Sequence, residues 1–372
     1  MVLMALDHAR DFFHFGAIHG FNPLDLATTT PALFLARWIT HFCAPTFVFL
    51  AGAGAFLSGA RGKSPAALSR FLLTRGVWLI VLEWTFVQWA GWTWAVDLHR
   101  HFALVIWAIG WSMIALAALV RLPTWAVATC GMAMIFLHNV LDGVRAERLG
   151  AWGPWWKILH AGGEVPLGGG HVIGAGYPLV PWVGVMAAGY GFGALLTRPD
   201  DERRRWLARL GLAACGAFLA LRFSNLYGDA HPWAVQASPW QTAGAFLDCV
   251  KYPPSLCYLL MTLGPALLLL ACWDRGVPAW ARPLLVFGRV PMLFYLLHIP
   301  LLHAMAALVM RWQWGRADWL YGVAPAAPPA DAGFGLVGTA VAWAVALAVL
   351  FFACRWFGAF KRRRRDAWLG YV

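Results

Sequence analysis

The sequence predicts an all-α, polytopic integral membrane helix bundle of about ten transmembrane helices, with both termini in the cytoplasm. Three observations carry this. Hydrophobic residues make up 61% of the 372 and charged residues only 12%, where a soluble domain carries roughly 25% charged; mean hydropathy is +0.63. Several segments run for about 18 residues or more almost without charge, enough as helix to cross roughly 30 Å of hydrocarbon. The basic residues are shared unequally between alternate loops. The period-two alternation of an outer-membrane barrel is absent, so helices are the spanning element.

In chain order the spans fall near residues 1–18, 33–59, 77–96, 102–120, 124–141, 178–197, 207–224, 254–273, 284–310 and 335–358. The first begins almost at Met1, without a basic flank or a small-residue cleavage site, so it is not a signal peptide. It is short, and the start codon is expected to sit late, with some cytoplasmic residues missing. Loops on one side hold 17 basic residues, including Arg203, Arg204, Arg205 and the Lys361–Arg365 run, against 7 on the other. The positive-inside rule therefore puts both termini in the cytoplasm. The net charge of +12 is then a topology signal and a contact for anionic lipid rather than a nucleic-acid footprint.

Two loops on the less basic side are long, 142–177 and 225–253. Loops of that length are usually functional or disordered, and their Trp and Gly content favours folding against the membrane surface, with an interfacial aromatic belt as the plainer alternative. With no linker and no internal repeat, residues 1–372 read as a single transmembrane domain. The seven cysteines form no CxxC and pair with no His at zinc spacing, so neither metal nor disulfide is expected and they read as small packing residues.

Ionisable groups inside a membrane helix are costly, roughly 2.5–3.5 kcal/mol each at the centre, and so mark function by default. The first span concentrates them in Asp7-His8-Ala9-Arg10-Asp11-Phe12-Phe13-His14. On a continuous helix Asp7, Arg10, Asp11 and His14 share one stripe, with His8 about 100° away but three residues from Asp11. Arg10 can pair with either Asp, and Asp11 can hold the His14 imidazole as a general base is held. The plainer alternative is a buried ion pair with bystander histidines. Further along lie Arg37 and His41, Glu83, His138, Arg222, His298 and His303; Tyr295 stands one turn before His298, among prolines that free backbone carbonyls.

Five blocks, LDHARDFFH at 6–14, APTFVFLAGAGAFL at 44–57, YPLVPWVGVMAAGYGFG at 177–193, KYPPSLCYLLMTLGP at 251–265 and FGRVPMLFYLLHIPLLH at 287–303, resemble bacterial membrane proteins similar to the catalytic domain of heparan-alpha-glucosaminide N-acetyltransferase. The resemblance covers most of the chain in the family's order. It implies a multi-pass protein of the bacterial cytoplasmic (inner) membrane, an acyltransferase that takes acetyl from cytoplasmic acetyl-CoA and delivers it to a sugar or polysaccharide on the far side. Asp7 stands where the eukaryotic enzyme has an implicated Asn, and that enzyme's His falls near Ile18 or, with a one-residue gap, His19.

Under this reading His14 or His8 is the general base, Asp11 its orienting partner and Arg10 the electrostatic element, with Asp7 and His298 beside them. Tyr177, Lys251 and Tyr295 are expected on the substrate side, because the matched blocks bring the outer ends of spans one, six, eight and nine to one cavity. The alternative is a secondary transporter using the Asp/Arg/His stripe as a proton relay; a degenerate partner subunit is the third reading. The expected partners are the lipid bilayer and the acceptor, with a homo-oligomer left open and nucleic acid excluded.

Overall fold

Long apolar runs, punctuated by capping residues and prolines, set the helices. The structure is a computed structural model and describes residues 1–364 and 366–370; Arg365, the last of the basic run near the C-terminus, lies outside the described residues. Helix α1 spans Val2–Phe13. Helix α2 spans Pro31–Ala60, passing through a 3-10 turn at Ile39–Phe42. It opens on Pro31, whose fixed φ suits a first turn, behind Thr30, whose hydroxyl accepts from Leu33 N at 3.3 Å. Helix α3 covers Pro65–Thr93 and widens into π-helix over Glu83–Thr93.

Helices α4 (Val105–Leu119), α5 (Thr124–Leu141), α6 (Leu179–Thr197), α7 (Asp200–Ser224), α8 (Leu256–Trp273), α9 (Pro291–Trp314) and α10 (Leu336–Arg363) complete the bundle. Among the described residues, eight helices are long and apolar enough to cross a membrane: α2, α3 and α5 to α10. Helix α1 has 12 residues and α4 has 15.

Several expectations need correction. The third helix starts early, at Pro65 rather than 77, and the ninth late, at Pro291 rather than 284. The first span is not one helix over 1–18: His14 takes an extended conformation (φ −78°, ψ 130°) and a separate turn of helix follows at Phe15–Ile18. The break is held from outside, since Phe334 N donates to the Phe13 carbonyl at 2.8 Å and Phe15 N to the Phe334 carbonyl at 2.9 Å. The expected loop at 142–177 is not loop alone: part of it is folded into a small three-stranded sheet. The sheet holds strands β1 (Arg100–Ala103), β2 (Gly163–Gly168) and β3 (His171–Ala175) in the order β1-β3-β2, with β1 parallel and β2 antiparallel to β3. Val172 and Ile173 supply the β-branched residues and the glycines at 168–170, all with positive φ, supply the hairpin turn. Finally, the seventh helix begins at Asp200 rather than 207, with Asp200, Asp201 and Glu202 in its first turn where the helix dipole favours acids.

Helix α6 is the most enclosed, with Trp182 and Met186 fully buried. It meets α2 backbone to backbone: a Cβ on Gly52 would stand 2.0 Å from the Met186 carbonyl oxygen, and one on Gly189 2.1 Å from that of Phe49. Small residues at such crossings let helices in lipid gain packing energy where water provides no hydrophobic drive. Helix α1 packs on α9 and α10, with Ala5, Ala9, Phe12 and Phe13 buried, and Trp343 Nε1 donates to the Val2 carbonyl at 3.0 Å.

Candidate active site

A cavity of about 230 Å³ opens beside α1, lined by the polar side chains of Asp7, His8, Arg10, Asp11, Arg37 and Thr40 and by the apolar ones of Met4, Phe47, Leu104 and Val105. Tyr177, Lys251, Tyr252, Tyr295 and Trp92 also line it. Each comes from an element end or an irregularity. Tyr177 precedes α6, Lys251 and Tyr252 precede α8, Tyr295 sits in the first turns of α9, and Trp92 is carried inward by the π-helical end of α3. Extra residues inserted in a helix in this way often accompany functional sites.

The polar lining is one chain of charge-assisted hydrogen bonds. Arg37 Nη1 donates to Asp7 Oδ2 at 2.5 Å, and Arg10 Nη2 donates to Asp7 Oδ1 at 3.1 Å and to Asp11 Oδ1 at 2.7 Å. Asp11 Oδ2 lies 3.1 Å from His8 Nδ1. With Asp11 ionised, His8 carries its proton on Nδ1 and donates it, which leaves Nε2 as the basic nitrogen; Nε2 makes no hydrogen bond among the described residues. Asp7, Arg10 and Arg37 are mostly buried, and His8 and Asp11 are partly open. Buried charges survive only when paired and hydrogen-bonded in this way.

The His8 ring rests edge-on against Trp92, centroids 4.9 Å apart, and 5.2 Å from the ring of His298. His298 is fully buried behind His8 and is not part of the cavity wall; its Nδ1–H is held by the carbonyls of Tyr295 at 2.7 Å and Phe294 at 3.1 Å. Lys251 Nζ lies 5.1 Å from the centre of the Tyr252 ring, and Tyr252 Oη is 3.4 Å from Tyr177 Oη. Burial pushes the Tyr177 phenol well above its ordinary range, and the neighbouring Tyr252 adds to the effect. It stays a neutral O–H donor at working pH.

The structure thus brings Asp7, His8, Arg10, Asp11, Tyr177, Lys251 and Tyr295 together, with His298 one layer behind. It does not form the expected Asp11–His14 pair. His14 lies beyond the end of α1, and its Nδ1 accepts from Gly16 N at 3.0 Å to cap the next turn; the Asp11 partner is His8. His19 is also elsewhere, with Nε2 bonded to the Ala332 carbonyl at 3.1 Å. Arg37, Tyr252 and Trp92 were missing from the expected site. Arg37 had a signal, a cation in an apolar run; Tyr252 lay inside the KYPP block; Trp92 had none, because a π-helical shift leaves no clear mark in sequence.

A family model described as "Heparan-alpha-glucosaminide N-acetyltransferase, catalytic" matches residues 11–221. The blocks at 251–265 and 287–303 lie beyond that match. No curated protein and no solved structure matches the chain.

Proposed function

The chain belongs to the heparan-alpha-glucosaminide N-acetyltransferase catalytic family, whose model matches more than half of it, and from that premise we propose that it transfers an acetyl group from cytoplasmic acetyl-CoA to a sugar or polysaccharide on the opposite face of a bacterial inner membrane, with His8 as general base. The coarse reading, a membrane-spanning acetyltransferase, follows from the family and the eight spans. The donor, the acceptor, the sidedness and the residue roles are our proposal. The observation that carries the roles is the Asp11–His8 pair in a cavity lined by both charged and apolar side chains.

His8 Nε2 takes the proton of the acceptor amine or hydroxyl as it attacks the thioester carbonyl, and returns it to the departing thiolate. Asp11 fixes the His8 tautomer and stabilises the imidazolium that forms. Lys251 and the neutral Tyr177 O–H are the donors for the charge developing on the carbonyl oxygen, which fixed donors in a water-poor site stabilise strongly. Met4, Phe47, Leu104 and Val105 suit the uncharged acetyl thioester. At about 230 Å³ the cavity is smaller than the roughly 300–1,000 Å³ of sites that enclose a whole small-molecule ligand, so it takes the reacting ends only. A separate cleft of about 390 Å³ lined by Arg289, Gly358, Lys361 and Arg362 is basic enough to meet the donor's phosphates on the side where positive-inside counting puts the termini.

The test is incubation of the full chain in inverted membrane vesicles with acetyl-labelled CoA, followed through label in the glycan fraction. Label there that is absent with His8→Gln supports the reading. A protein that binds no CoA, yet exchanges a solute across proteoliposomes without any acyl donor, would make it a transporter instead.

A further inference from the structure

Away from this cavity, the fold gathers a second group of titratable side chains that the transfer reaction does not use. α5 ends in a 3-10 turn at His138–Leu141, with Asp142 immediately after it. The 157–161 turn, which leads into the β2–β3 hairpin, brings His160 against them. One ligand atom from each of His138, Asp142 and His160 lies within 4.8 Å of the other two.

The partners of these groups leave donor atoms facing one another. His138 is 2% exposed, and among the described residues neither ring nitrogen makes a well-formed hydrogen bond, its one weak polar contact being with the Pro254 backbone. Asp142 Oδ2 accepts from Asn139 Nδ2 at 2.8 Å, while Oδ1 is 3.7 Å from His160 Nε2, beyond hydrogen-bond range. The His160 ring is stacked on Trp156, centroids 4.9 Å apart, and its Nε2 is 2.9 Å from the His138 carbonyl. Burial pushes the Asp142 carboxyl up, against the Asn139 hydrogen bond and the nearby His160 imidazole, which pull it down. A buried imidazole so weakly bonded, beside such a carboxylate, is costly unless something binds both.

Two imidazoles and one carboxylate are the donor set of a first-row divalent ion. Magnesium and calcium prefer oxygen ligands alone. We propose that His138, Asp142 and His160 bind one zinc-class divalent ion, water completing the coordination, and that this ion fastens the 157–175 segment to the end of α5. Zinc–ligand bonds are about 2.0 Å long, so the three donors must draw in from their present spacing, and the His160 to His138 carbonyl bond is the contact that yields or re-forms through the other ring nitrogen. Asn139 is the orienting residue: its Nδ2 holds Asp142 and its Oδ1 accepts from Leu256 N at 2.9 Å. The ion therefore sits at the junction of the two segments that deliver Tyr177 and Lys251, and its role is structural.

Purified full-length protein in detergent, stripped with chelator, exposed to zinc and desalted, is analysed for metal, and cobalt is substituted for its absorption spectrum. We expect about one zinc per chain and a tetrahedral cobalt spectrum. Affinity should fall at least tenfold in His160→Gln and Asp142→Asn, and by about 10- to 100-fold in Asn139→Ala through the orienting contact alone. Retention of less than roughly a tenth of an ion per chain would overturn the proposal. So would unchanged binding in the two ligand variants, or loss of binding in His99→Gln, whose stacked neighbour His171, at 4.9 Å, forms the exposed histidine pair most open to stray metal. If a variant does not fold, the wild-type metal content and cobalt spectrum still decide.

Discussion

Replacing Asp11 by Asn removes one charge from the site, and the geometry says what the new side chain does. Arg10 Nη2, 2.7 Å from Asp11 Oδ1, donates only, so it draws the single oxygen of the substituted amide to itself. The amide NH2 then faces His8 Nδ1, where a carboxylate oxygen had accepted at 3.1 Å. An N–H donor at that place forces Nδ1 to accept and moves the proton to Nε2, the nitrogen proposed to take the acceptor's proton. The base is present but in the wrong tautomer. A positioned general base is worth about 10²- to 10⁴-fold, or roughly 2.7–5.4 kcal/mol at 1.36 kcal/mol per decade. Asp11→Asn and His8→Gln should each lose that much kcat, while the double variant should be scarcely worse than either single, as for residues acting as one unit. His14→Gln should change kcat by less than about threefold, since its ring caps a turn. The assay is acetyl transfer by detergent-purified protein at saturating donor, with melting temperature as a control for folding. Retained turnover in well-folded His8→Gln, or collapse in His14→Gln alone, would refute the reasoning.

Arg37→Met leaves Asp7 with Arg10 as its only ion-pair partner among the described residues, and stability should fall by about 3 kcal/mol, the lower end for breaking a buried pair; thermal melts should show Asp7→Asn in the same chain recovering part of it. Gly52→Ala places a methyl 2.0 Å from a backbone oxygen, so α2 and α6 must separate, and the cost should reach the upper part of the roughly 1–3 kcal/mol range for overpacking. Gly54→Ala, with nothing within 4 Å, should be close to neutral by the same measurement. Introduced cysteines at the exposed positions Leu167 and Val235 should react with an impermeant maleimide from outside intact cells; reaction only in inverted vesicles would reverse the topology and the proposed acceptor side.

The helices were legible because an apolar run reports its own length, and the Asp-His-Arg-Asp cluster because charge in such a run is conspicuous. The error over His14 came from extending one helical wheel through a residue where the helix stops. The cause of that stop, Phe334 bonding on both sides of His14, is more than 300 residues away, and no local pattern reveals it. His8 looked off the stripe, yet residues three apart on a helix are neighbours, and that spacing already allowed the Asp11 contact the structure shows. Arg37 was visible as an intramembrane cation, but its pairing with Asp7 depends on how α1 and α2 meet. The small sheet had a readable sign, glycines between short β-branched runs, that was outweighed by the helical character of the rest. His138 and Asp142 are four residues apart, but His160 joins them only through a turn, outside any regular ligand spacing.

The shared Arg37–Asp7 contact also bears on how the protein enters its membrane. Helix α1 places Asp7, Arg10 and Asp11 within 12 residues, an insertion penalty of roughly 8–10 kcal/mol if each were met singly, and it is not among the helices apolar and long enough to cross unaided. Arg10 answers Asp7 from within α1, but the second cation on that carboxylate is made about thirty residues later, in α2. A nascent chain ending near residue 20 should therefore stay at the interface, and one that extends past Ala60 should insert the two helices as a hairpin, an order that reporter fusions at the two points can read. Even then the seat is unfinished, because Trp343 of α10 grips the Val2 carbonyl. The last of the spans completes the seat of α1.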